Sequence, residues 1–111
     1  MKIINYVIKV LGINTQLIFS SELNIQENGS NKILGLCKAL DCDVYLSGSS
    51  GKNYLNVDDF TKNDITIQFQ NFQYPIYRQL GTTFMPNLSI LDLLFNEGDK
   101  SRDILLKSSN F

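Results

Sequence analysis

The run LSGSSGKNYL, Leu46 to Leu55, sets an apolar segment beside two glycines, three serines and a lysine. A small-residue turn leaves backbone N–H groups uncovered, and with hydroxyls and Lys52 beside them it can accept an anion. A P-loop requires two glycines separated by four residues, then Lys and Ser or Thr, so that the hydroxyl reaches Mg²⁺. Here two residues separate Gly48 from Gly51, and Asn53 follows Lys52. The spacing excludes a P-loop and leaves two readings open, a general anion contact and a flexible corner.

Tyr74, Tyr77, Arg78 and Gln79 form a second cluster. Ring faces and a guanidinium on one loop can stack on a sugar or base, and tyrosines beside Pro75 can equally anchor the loop to a core. Ser89 and Asp92 stand three apart, the spacing of a helix N-terminal box, and catalysis by Asp92 as a base would require a raised pKa. Cys37 and Cys42 are the two cysteines, and the chain contains no histidine. The cysteines read as small buried hydrophobes. A zinc site would need two carboxylates at no recognisable spacing, and histidine acid/base chemistry is excluded. No cofactor and no metal are indicated, and no residue is singled out as catalytic.

These side chains must be positioned by a chain of 111 residues, 43% apolar and 19% charged, which is ordinary globular usage and single-domain length. We therefore expect one domain over residues 1–111. Ten basic residues, scattered singly, face eleven acidic ones, which disfavours nucleic-acid binding. No run approaches the roughly 18 apolar residues of a membrane span, and MKIINYVIKVLG is broken by Lys9 and lacks a cleavage site. The expectation is a cytoplasmic protein.

Ile3, Ile4, Val7, Ile8 and Leu11 predict a helix from the first residues, ended by Gly12. QLIFS, Gln16 to Ser20, reads as a first strand, and Ile33, Leu34, Cys37 and Leu40 as a helix crossing to a parallel second strand, Asp43 to Leu46. Asn56 is expected to cap a short helix carrying Asp58 and Asp59. Ile65, Ile67 and Phe69 alternate with polar residues as an edge strand with one buried face. Residues 71–87 predict a long ordered loop. Ile90, Leu91, Leu94 and Phe95 predict a helix stopping before Gly98, and Asp99 is expected to cap a last one. Residues 107–111 are expected to fray. The fold class is α/β, a small, mostly parallel sheet with flanking helices.

The segments YLSGSSGKNYL, ITIQFQNFQYPIYRQL and FMPNLSILDLLFNEG, in that order, resemble the C-terminal half of the WbqC-like family of bacterial proteins. LGINTQLIFSSEL and KILGLCKALDCDVYL are similar to the same region. The resemblance implies half of a larger α/β domain and a setting in surface polysaccharide (O-antigen) biosynthesis, with group transfer onto a nucleotide-linked amino sugar as the expected chemistry. Position by position it points to Ser47, Gly48, Gly51 and Tyr54 in the turn, Tyr77 and Gln79 in the loop, and Ser89 and Asp92 at the helix start; Lys52 is added by charge. These residues are expected to line one substrate pocket.

Family members usually run to about twice this length, so the chain resembles a truncated or split member. They tend to have His where Tyr74 stands and a second proline at Arg78. Tyr74 cannot serve as a base near neutral pH with a reference pKa of roughly 10. The alternative expectation is therefore a non-catalytic subunit or folded remnant. It would pair with a separate N-terminal half, or with itself, through the Met1–Leu11 helix, where Ile4, Val7, Ile8 and Leu11 would be exposed.

Overall fold

In this computed structural model, which describes residues 1–110, Val44–Ser47 forms strand β1 and Thr66–Phe69 forms strand β2. The two pair in parallel, Tyr45 opposite Ile67 and Ser47 opposite Phe69. The period-two pattern explains the pairing face: Ile67 and Phe69 are half-buried, Thr66 and Gln68 are exposed, and Ile65 just before them is buried. A parallel pair needs a crossover. It is supplied by the 3-10 turn Ser49–Asn53 and the short helix α3 (Val57–Thr61), the helices being numbered in chain order after α1 (Lys2–Val10) and α2 (Gly29–Ala39).

The expected first strand at Gln16 to Ser20 does not form. Phe19 has extended backbone angles, yet the sheet holding β1 has only β2 in it, and the chain turns at once into the 3-10 segment Ser20–Leu23. Leu17, Ile18 and Phe19 stay exposed. An apolar run becomes a strand only where a neighbouring strand takes its N–H and C=O groups. The parallel crossover therefore runs through α3, and α2 lies before the sheet instead of between its strands.

Two compact units divide the chain. In Leu17–Asn71 the core is Cys37, Leu55, Phe60 and Ile65, with Ile33, Leu34, Cys42, Tyr45, Ile67 and Phe69 packed against it. Phe60 is fully buried and stacks on Tyr45 with ring centroids 6.0 Å apart. Asn56 precedes α3 as expected, but its side chain caps no backbone group; its amide donates to Asp59 Oδ2 at 2.8 Å, and its own N–H donates to Ser30 Oγ.

The other unit comprises Met1–Gln16 and Phe72–Asn110. Helix α1 ends as expected at Gly12, whose φ of +63° suits glycine. Arg102 Nη1 donates to the C=O groups of Leu11 (2.9 Å) and Gly12 (2.6 Å), placing a cation at the negative end of α1. Leu11 is buried and Val7 and Ile8 half-buried, so much of the face expected to lie open is covered; Ile3, Ile4, Tyr6 and Val10 are exposed.

Helix α4 (Ile90–Glu97) stops before Gly98, as the sequence predicts. Asp99 caps no helix: it lies in a 3-10 turn, Gly98–Lys100, that runs directly into α5 (Ser101–Ser108). Regular structure continues to Asn110. Lys107 and Ser108 belong to α5, Ser109–Asn110 forms β4, which pairs with β3 (Asn71–Phe72), and the Gln73 N–H donates to Ser108 C=O. Phe111 lies outside the described residues. No helix among those residues is long and apolar enough to cross a membrane.

Candidate functional site

The expected site residues fall in both units: Ser47, Gly48, Gly51, Lys52 and Tyr54 in one, Tyr77, Gln79, Ser89 and Asp92 in the other. The turn follows the carboxyl end of β1, where ligands of parallel sheets sit. Its glycines have different reasons for being there. A Cβ on Gly51 would overlap Ser47 Oγ and crowd the Leu55 side chain, so Gly51 is small because buried neighbours fill its space. A Cβ on Gly48 would meet nothing, and its φ of −62° suits any residue. Ser47 is buried, with its hydroxyl donating to Gly48 C=O at 3.0 Å. Lys52 is exposed and holds its ammonium 5.4 Å from the Phe69 ring centroid, a cation–π contact. Tyr54 is exposed beside Tyr45.

In the other unit the residues meet directly. Tyr77 OH donates to Asp92 Oδ2 at 2.6 Å, and Gln79 Nε2 donates to the same oxygen at 3.0 Å. Asn96, one turn further along α4, donates to Asp92 Oδ1 at 3.2 Å. Partial burial, followed by the bond to Asp92, pushes the Tyr77 phenol above its ordinary pKa. Gln79 also closes its loop by a two-way clamp, donating to Met85 C=O (2.9 Å) and accepting from Met85 N–H (2.8 Å). Asn96 Oδ1 and Glu97 Oε1 accept the N–H groups of Leu80 and Arg78. The polar face of α4 thus supplies acceptors for a loop that lacks a ladder of its own.

Ser89 is the N-cap of α4, accepting from Leu91 N–H at 3.2 Å. Asp92 does not complete the box; its carboxylate is given to Tyr77, Gln79 and Asn96. Asn96 and Glu97 escape a reading by motif. For Asn96 the signal is spacing: four residues after Asp92, it lies on the same side of the helix.

A cavity of about 170 Å³ opens beside this network. Phe72, Tyr74 and Tyr77 form its aromatic wall, Pro75 adds a saturated apolar ring, and Asn87 and Ser89 bring polar groups. Phe72 and Tyr74 meet edge to face at 5.4 Å, as do Tyr77 and Phe84 at 5.7 Å, so the rings brace one another. Phe72 and Asn87 lie outside the residues expected from sequence. Among the described residues, no group of three or more Cys, Asp or Glu side chains is placed to hold a metal ion.

A small α/β protein with a two-stranded parallel sheet and a tyrosine–carboxylate loop site is the class these features define. The WbqC-like protein family model matches residues 1–104, and the chain belongs to that family. A relative in Mycobacterium tuberculosis (strain ATCC 25618 / H37Rv), "Uncharacterized protein Rv1507c", is 34% identical over 107 residues, covering 94% of this chain and 46% of that protein. The chain thus spans about half the length of the curated relative it matches. No solved structure matches.

Proposed function

We propose that this chain is the sugar-recognising part of a transferase that modifies a nucleotide-linked amino sugar for bacterial surface polysaccharide. The aromatic cavity beside the Tyr77–Asp92 pair carries this reading. Sugar rings offer apolar C–H faces to aromatic walls and hydroxyls to a few fixed polar groups, and the cavity combines both. At about 170 Å³ it falls below the roughly 300–1,000 Å³ of drug-sized pockets and suits one ring-sized group. Ser47, Gly48, Gly51, Lys52 and Tyr54 are proposed as a separate contact for phosphate, a reading favoured by the unfilled space at Gly48.

Saturation-transfer NMR with a panel of nucleotide-linked amino sugars tests the proposal. Sugar-ring protons should be saturated by the wild-type protein and much less by Tyr74→Ala, a change at an exposed residue, with circular dichroism checking that the variant is folded. Equal signals from both proteins would contradict it.

A second reading, a subunit that pairs with another chain, is favoured by Ile3, Tyr6 and Val10. They recur at i, i+3 and i+7 as an exposed apolar stripe on α1. Sedimentation of the wild type against Tyr6→Glu tests it: association that the charge abolishes supports pairing, and a monomer at high concentration of both opposes it.

A further inference from the structure

Helices α1 and α2 end in the same way. At α1 the N–H of Gly12 (φ +63°) bonds Lys9 C=O, and the N–H of Ile13 bonds Ile8 C=O. At α2 the N–H of Asp41 (φ +53°) bonds Lys38 C=O at 3.2 Å, and the N–H of Cys42 bonds Cys37 C=O at 2.9 Å. Both are Schellman motifs, in which the side chain two places past the cap packs on the one three places before the end. In α1 those two positions hold Ile8 and Ile13, an ordinary apolar pair. In α2 they hold Cys37 and Cys42, both free thiols.

We propose that Cys37 and Cys42 form a reversible intramolecular disulfide, an oxidation site that joins the end of α2 to the segment leading into β1. The direct N–H···O=C bond between the two cysteines holds their main chains at contact distance, and a disulfide needs Cα atoms roughly 4.4–6.8 Å apart. Cys42 also packs against the core cluster that contains Cys37. Access differs: Cys37 is buried and Cys42 half-exposed, and burial, then the neighbouring Cys42, pushes the Cys37 thiol up. An oxidant therefore meets Cys42 first. With hydrogen peroxide, the Cys42 sulfur takes one oxygen to become a sulfenic acid and one water leaves. The Cys37 sulfur then attacks the Cys42 sulfur. The S–S bond forms, the S–O bond breaks, and the departing hydroxide takes the Cys37 proton as a second water. Two thiols are oxidised, one peroxide is reduced, and an external thiol reverses the step.

The test equilibrates the full chain with reduced and oxidised glutathione, folded and in concentrated urea, then alkylates and measures mass. In the folded protein a species lacking two hydrogens and blocked at both cysteines should form, be reversed by dithiothreitol, and be absent from Cys42→Ser. Its equilibrium constant should exceed that of the urea-unfolded chain by about tenfold or more, which corresponds to roughly 30 mV. An equal or smaller constant in the folded protein would overturn the proposal. So would peroxide treatment that takes Cys42 to sulfinic acid while Cys37 stays alkylatable.

Discussion

The Tyr77 hydroxyl donates to Asp92 Oδ2 at 2.6 Å, joining a loop without regular structure to the first turn of α4. Hydrogen bonds to a charged partner contribute about 1.5–3 kcal/mol when well shielded, and less at a half-exposed site such as this. Tyr77→Phe should therefore lower stability by about 1 kcal/mol in urea unfolding. Asp92→Ala should cost more, about 2 kcal/mol, because it leaves the Tyr77, Gln79 and Asn96 donors without their acceptor. Equal losses in the two variants would mean that the carboxylate does not organise the cluster.

Alkaline pH should destabilise the protein. Partial burial and the bond to Asp92 raise Tyr77; burial, then the neighbouring Tyr54 and Cys37, raises Tyr45. A folded pKa above the unfolded value of roughly 10 means that the unfolded chain loses these protons first. Stability from the two phenols is thus fully present below about pH 10 and falls as pH rises through the folded values. Urea midpoints at pH 9 and pH 11 should show the drop, and the double variant Tyr45→Phe, Tyr77→Phe should show a smaller one.

Gly51→Ala separates packing from ligand contact in the turn. The added Cβ would collide with the Ser47 hydroxyl and press on Leu55, an overpacking that costs about 1–3 kcal/mol. Gly48→Ala meets open space and should leave the melting temperature nearly unchanged. A thermal scan of both variants checks the pair. If Gly48→Ala were the more damaging, the packing explanation of Gly51 would fail.

Arg102→Met should loosen α1. It removes two charge-assisted bonds to Leu11 and Gly12 carbonyls at a helix end, with an expected loss of about 1–2 kcal/mol. Amide exchange should accelerate in residues 2–13 before it does so in α4.

Patterns that carry their own geometry were legible in the sequence. The alternation at Ile65, Ile67 and Phe69 produced β2, Gly12 and Gly98 marked helix ends, and Ser89 marked the start of α4. What depends on a distant neighbour was not. QLIFS has the composition of a strand and no strand beside it, while the partner of β1 lies about twenty residues downstream. Residues 109–110 look like a loose end until β3 is there to pair with them. In the candidate site, residue type and spacing point to Tyr77, Gln79 and Asp92, and the family resemblance points to the same three. Their mutual bonds, and the help of Asn96 and Glu97, follow from how one helical face meets one loop.

Isothermal titration of the folded full chain with a panel of nucleotide-linked amino sugars tests the proposed function most directly. Saturable heat with at least one donor, lost in Tyr74→Ala and kept in Arg102→Met, is the expected result. No saturable heat across the panel, or equal affinity in wild type and Tyr74→Ala, would contradict it.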